Sequence, residues 1–355
     1  MEKIKVLFLA EELRVGGAES YFYKIENNID RKKYDFYCMA VNGAQANNLI
    51  VPDNYYSYEF SPIDRIKKIK KICVKNNIKI IHANSLQLAF CAAFVKRQLK
   101  NKINIKILYT KHNLTILEKI SKKIFAKFLN HNIDIVNPIC DVEKENLIKY
   151  GVDKDKIITI YNGTKISDFT FNNNRIKKSA FSVGILARLS IEKRHDIFID
   201  IAKIVLEENE SVNFYIGGDG PERENIKDAI ISNKLQDKVK ILGNVNAAEF
   251  LDKIDYLLLV SDREVLPMSI IEGMSSGCIV ISRNVGGIKE LVTDETGYLV
   301  DGTNPNDYAN ILIKLLTKNF DIEKSLNARK FVENKFSLSI MLNNIEATYK
   351  KMFEN

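Results

Sequence analysis

The chain is predicted to be an α/β protein of two Rossmann-like, doubly wound parallel-sheet domains that face each other across a cleft. Short β-branched runs alternate with amphipathic helical stretches along its 355 residues, the pattern of parallel sheets with helical crossovers. The alternation runs through two successive series of strands, and the length is more than one core ordinarily needs. Such domains leave a crevice at the carboxyl ends of their strands, where ligands bind.

The first series of strands is read at 4–10, 36–41, 78–83, 105–110, 133–138 and 157–161. The opening "MEKIKVLFLA" is too short and too strand-like for a signal peptide and reads as the first buried strand. The second series is read at 181–187, 213–217, 238–242, 256–261, 279–282 and 298–300. Between them, residues 162–180 are polar and Asn-rich without clear periodicity, the best linker candidate. A helix is expected over 338–353. The domains are placed at 1–170 and 171–337, with 338–355 as a helix packing back on the first.

Composition removes several function classes. No run of about 18 apolar residues exists, so no membrane-spanning helix is expected. The five cysteines are scattered without a C-x-x-C pair, which suits a reducing cytoplasm and no structural zinc. The net charge is +8, much of it in "DRIKKIKKICVK" (64–75) and "EKISKKIFAK" (118–127), where lysines alternate with apolar residues at helical spacing. Solvated helix faces are the plainer reading; a surface resting on anionic lipid is the sharper one. No nucleic-acid recognition motif is present.

The stretch "SDREVLPMSIIEGMSSGC" (261–278) holds Glu264 and Glu272 with seven residues between them, after the buried strand "YLLLVSD". A helix beginning at Pro267 would leave the amides of Met268 and Ser269 free at its positive end, an anion site. A carboxylate beside a phosphate must hold something else. An ionised carboxylate only accepts hydrogen bonds, and a vicinal diol supplies two donors. One glutamate could grip a ribose and the other a sugar, with a diphosphate between them, the outline of a nucleotide sugar. The alternative is that both are solvated loop and helix residues, and spacing alone does not choose.

In "GILARLSIEKRHD", Arg188 follows the first strand of the second domain and Lys193 opens a helix, a placement that suits a diphosphate. Preorganised cations and helix amides can stabilise a departing diphosphate without a metal. Gly16-Gly17 follow strand one, but G-x-G-x-x-G is absent, so the dinucleotide fingerprint fails. Of four histidines, His82 and His112 end strands and are expected to face the cleft; His131 and His195 read as surface residues. Glycines also fall between strand and helix in "GGDGPERENI" and "NVGGIKELV". The D-x-D at Asp153–Asp155 lies in a polar turn away from the glycine loops and is rejected as a metal site.

Taken together, "GGAE", "IYNGT", "ARLSIEK", "GDGPE", "ILGNV", "EVLPMSIIEGMSSG" and "VGGIKELV", in this order along nearly the whole chain, resemble the retaining glycosyltransferases of family 4, which have the GT-B fold. The E-x7-E segment is the most specific part. The resemblance implies that Arg188 and Lys193 hold the donor diphosphate, Glu272 the ribose and Glu264 the sugar. It also implies that Gly243, Asn244 and Val245 lie by the base and Gly16-Gly17 near the phosphates. It implies no metal, a product of retained configuration, and a UDP-sugar as the commonest donor. The first domain would face a glycan or lipid-linked acceptor for cell-surface polysaccharide, with His82, Asn84 and His112 as candidates there. The protein would be cytoplasmic, or peripheral at the inner membrane face. Three positions depart from the family: Pro267 and Arg194 where glycine is common, and Asn84 where many relatives carry a second histidine. A sugar-nucleotide epimerase on the same fold and a non-catalytic nucleotide-sugar-binding subunit remain as alternatives.

Overall fold

A computed structural model describes residues 3–12, 17–41, 49–50, 52–58, 61–171, 175 and 181–354. The chain divides into two compact units, residues 1–162 with 339–355, and residues 163–338.

Unit 1 carries β1 (Ile4–Glu12), α1 (Gly17–Asn28), β2 (Tyr34–Val41), β3 (Tyr55–Ser57), α2 (Pro62–Asn76), β4 (Ile80–Ala83), α3 (Leu86–Leu99) and β5 (Lys106–Lys111). There follow α4 (Ile116–Ile120), α5 (Lys122–Asn132), β6 (Ile135–Pro138) and α6 (Asp141–Lys149). The sheet order is β3-β2-β1-β4-β5-β6 with every pair parallel. Both faces are covered, so β4 and β6 are buried at every position, as parallel sheets require. Side-chain caps start the helices: Ser61 for α2, Ser85 for α3, and a Thr115/Glu118 capping box for α4.

Two sequence readings change here. The run 157–161 makes only one bridge, Val136↔Ile157, with two further backbone bonds to β6, and does not extend as a strand. Conversely β3, three residues of Tyr-Tyr-Ser at the sheet edge, was too short and polar to be legible.

Unit 2 carries β7 (Ser182–Leu186), α7 (His195–Glu208), β8 (Asn213–Gly217), α8 (Arg223–Ser232), β9 (Val239–Gly243), α9 (Ala247–Lys253) and β10 (Tyr256–Leu259). It continues with α10 (Met268–Ser275), β11 (Ile279–Arg283), β12 (Gly297–Val300), α11 (Pro305–Leu316) and α12 (Ile322–Lys335). Its order, β12-β11-β10-β7-β8-β9, is again all parallel. Successive strands add outward from β7 on one side and from β10 on the other, so the direction of strand addition reverses between these two parallel neighbours. Arg175, inside the expected linker, is fully buried in this unit. Its guanidinium donates to the carbonyls of Leu251, Ile254 and Ser276, acceptors at the C-terminal ends of α9 and α10.

The last helix, α13 (Leu338–Glu354), packs within unit 1, burying Met341, Ile345, Tyr349 and Met352. No helix among the described residues is long and apolar enough to cross a membrane.

Candidate functional site

The loops after β7 and β10 leave adjacent parallel strands at the switch point of the unit 2 sheet, the place where such sheets take ligands. Arg188, exposed, lies in the first loop, and Lys193 ends its 3-10 turn, Ile191–Lys193. Glu264 lies in the second. The two loops are tied by the Asp262 amide, which donates to the Glu192 carbonyl at 2.8 Å. Across this tie Lys193 Nζ reaches Glu264 Oε1 at 2.6 Å, with the glutamate side chain only 8% exposed and the lysine 21%. The residue expected to hold phosphate and the one expected to hold sugar are thus paired with each other.

Glycines bring the backbones this close. Gly286, at φ +57°, stands where a Cβ would come within 1.7 Å of the Glu264 carbonyl oxygen. Gly218, at φ +135°, would put one 2.0 Å from the Ala187 carbonyl oxygen. No side chain fits either approach. The Leu189 amide donates to Asp219 and the Glu222 amide returns to Leu189, so "GGDGPE" clamps the loop that bears Arg188.

One boundary differs from expectation. Pro267, at φ −71° and ψ 118°, is the N-cap of α10, not its first residue. Met268 and Ser269 are the first two helical residues, and their amides meet no acceptor among the described residues; the Ile270 amide bonds the Pro267 carbonyl. The free amides and the positive helix end stand directly after Glu264 in the chain, with Glu272 half-buried one turn along. Gly243, at φ +70°, ends β9; Asn244 is exposed and Val245 half-buried, packed near Gly217.

Arg194 stands where the family resemblance implies glycine. It has φ +52° and ψ +50°, the left-handed region that favours glycine, and its guanidinium bonds Asp196 and Asp262. Arg283, at the end of β11, donates to the same Asp262 oxygen at 2.6 Å. No local pattern marks Asp262 or Arg283; Arg194, at a position where the family resemblance implies glycine, is the one signal available. His195 is buried rather than surface, 3% exposed, and burial pushes its pKa down to about 4.

In unit 1, His82 does not stand open as a ligand group. It is fully buried, with Nδ1 at 2.7 Å from Tyr349 Oη and Nε2 at 2.7 Å from Thr110 Oγ1, and stacked on Phe8. Every residue of β4 is buried, so ending that strand does not expose it. Burial, with the neighbouring His112, pushes its pKa down to about 3 and keeps the ring neutral. His112 and Asn84 follow β5 and β4 and bond each other, Nε2 to Oδ1 at 2.6 Å. Both are about nine-tenths buried, and burial also takes His112 down to about 3. Behind them the buried Lys111 pairs with Glu118 at 3.3 Å and with Glu143. Gly16 lies outside the described residues, as do the side chains around Gly17, where α1 begins.

The two lysine-rich stretches differ. In α2, Ile69 and Ile72 are buried, so that helix is an ordinary amphipathic element with lysines outward. Around α4 and α5, Leu114, Ile116, Ile120 and Ile124 are 47 to 77% exposed among exposed Lys119, Lys122, Lys123 and Lys127. Among the described residues no cluster of His, Cys, Asp or Glu is arranged to hold a metal.

Residues 15–168 match the family model described as Glycosyltransferase Family 4, and residues 167–335 that of Glycosyl transferases group 1. An uncharacterized glycosyltransferase of Methanocaldococcus jannaschii is 28% identical over 92% of this chain and 93% of its own. The N-acetyl-alpha-D-glucosaminyl L-malate synthase of Bacillus anthracis is 24% identical over 84% of this chain and 82% of its own. Among solved structures, Anabaena HepE in complex with UDP-glucose superposes with a TM-score of 0.83 at 20% identity, covering 98% of this chain and all of that one. A glycosyltransferase from Rickettsia africae gives 0.85 at 20% identity with both chains covered in full.

Proposed function

The chain belongs to glycosyltransferase family 4 with the GT-B fold, and from that premise we propose that it moves a hexose or N-acetylhexosamine from a UDP-sugar to a glycan or lipid-linked acceptor of cell-surface polysaccharide, with retention of configuration. The observation that carries the donor half is the Lys193–Glu264 pair beside the free amides of Met268 and Ser269, at the switch point of one sheet. A cation, a carboxylate and a helix N-terminus within one loop pair match the three parts of a sugar diphosphate: anion, hydroxyls, anion.

In this reading Arg188, Lys193 and the two amides take the diphosphate, Glu264 the sugar hydroxyls and Glu272 the ribose, with Asn244 and Val245 by the base. When the bond from the anomeric carbon to the phosphate oxygen breaks, charge gathers on the diphosphate. Fixed cations and amides stabilise that charge without reorganising, and no divalent metal is required. UDP as the nucleotide is supported by relatives of the fold that are solved with UDP and UDP-glucose. On the acceptor side, His112 and Asn84 remain candidates, and His82 acts only by holding the framework.

The apolar and basic surface at α4 and α5 supports an acceptor met at an anionic membrane. Calorimetry across a panel of nucleotide sugars, followed by product analysis, tests the proposal. Binding of a UDP-sugar and appearance of an α-glycoside are expected. An isomerised sugar nucleotide, or binding without any transfer, would replace it with the epimerase or the binding subunit.

A further inference from the structure

Arg194 holds a backbone conformation that a side chain disfavours, at the junction between the 3-10 turn carrying Lys193 and the first turn of α7. The guanidinium supplies what glycine would not. Its Nε lies 3.0 and 3.2 Å from the two Asp196 oxygens, its Nη2 2.7 Å from Asp196 Oδ2, and its Nη1 3.2 Å from Asp262 Oδ1. The same Asp262 oxygen takes Arg283 Nη1 at 2.6 Å, and the Asp262 amide holds the Glu192 carbonyl. One aspartate therefore ties the loop after β7, the loop after β10 and the end of β11. Lys193 is next to Arg194, and Glu264 is two residues from Asp262.

Two arginines against two aspartates leave this cluster without net charge, so it adds little field to the site. Exposed ion pairs also add little stability singly. What a forked, shared arrangement does supply is direction. We infer that Asp262 is a positioning residue which, through Arg194 and Arg283, sets where Lys193 and Glu264 stand, so that both meet the donor in one geometry. The inference rests on the donor-site reading above. A misplacement of about 1 Å at reacting groups can cost about a hundredfold in rate, and this brace opposes such a shift.

The test compares Asp262→Asn, Arg194→Ala and Arg194→Gly with the wild type. The readouts are UDP release from saturating UDP-sugar, calorimetric affinity for free UDP, and melting temperature. Asp262→Asn and Arg194→Ala should lower kcat about tenfold or more, with UDP affinity within about threefold and melting nearly unchanged. Arg194→Gly should lose clearly less than Arg194→Ala, because glycine holds φ +52° without a brace. Should Asp262→Asn fold poorly, Arg194→Ala, which removes the same contact from its other side, decides. Wild-type kcat in Asp262→Asn and Arg194→Ala would overturn the brace while leaving the donor site standing. Tighter UDP binding in Asp262→Asn at unchanged kcat would also overturn it, since the aspartate would then act by charge. A wild type that binds no UDP and no UDP-sugar overturns both the brace and the donor site.

Discussion

Removal of Glu264 should separate the two halves of the donor. Lys193 is engaged by Glu264 at 2.6 Å, with the carboxylate largely buried. On the proposed donor reading, free UDP detaches the lysine and leaves the carboxylate without a partner. A UDP-sugar offers hydroxyls in exchange. A charge-assisted hydrogen bond of this kind contributes about 1.5–3 kcal/mol, and the lysine's remaining exposure places this pair at the lower end. Glu264→Ala removes that cost, so UDP should bind as tightly as before or up to about tenfold tighter, 1.4 kcal/mol being one factor of ten. The UDP-sugar loses its hydroxyl acceptor, and turnover should fall by at least about tenfold. Glu272→Ala should behave in the opposite way and weaken UDP and UDP-sugar alike. Calorimetry with both ligands on both variants, at fixed ionic strength, reads all four values. Equal loss of UDP affinity in the two variants would refute the assignment of sugar to Glu264 and ribose to Glu272.

Transfer should persist in chelator, because Arg188, Lys193 and the amides of Met268 and Ser269 supply the positive charge; abolition by chelator with rescue by manganese or magnesium would contradict this. Co-sedimentation with anionic vesicles should depend on salt and be lost in Ile116→Glu/Ile120→Glu, each lysine near the surface adding about 1 kcal/mol; protein left in the supernatant at low salt would make α4 and α5 plain solvated helices. Stability should fall as pH drops from about 6.5 towards 3, because His82 and His112 stay neutral in the folded chain, with pKa values of about 3, while the unfolded chain takes up protons. At pH 5 this is about 2 kcal/mol per histidine, read as a lower denaturant midpoint than at pH 7, and an unchanged midpoint would refute it.

The strands that form the two sheets were legible because buried parallel strands are continuous apolar runs, such as "YLLLV" and "VLFLA". The edges were not. Tyr55–Ser57 has neither length nor apolar character, while 157–161 has the composition of a strand but bridges β6 only at Ile157. Within the candidate site, the loops could be found from their glycines and carboxylates. The Lys193–Glu264 pair joins residues 71 positions apart, and no local pattern encodes it. Nor could the sequence show that His82 is sealed, since a strand end reads alike whether its side chain meets solvent or Tyr349.

The hydrogen bond from His82 to Tyr349 spans 267 positions. Glu346, one turn before Tyr349, takes the Tyr34 hydroxyl on its carbonyl and the Asp30 amide on its carboxylate. Unit 1 therefore begins its sheet early in synthesis but finishes its core late. While the ribosome makes residues 163–338, which can collapse around their own sheet, the His82 ring, the Tyr34 hydroxyl and the Asp30 amide wait for α13. Contacts this distant in sequence close slowly, and a half-finished core is exposed to misassociation meanwhile. A nascent chain arrested before Tyr349 should thus hold a finished second unit beside an unfinished first one, and the order of maturation would run against the order of translation.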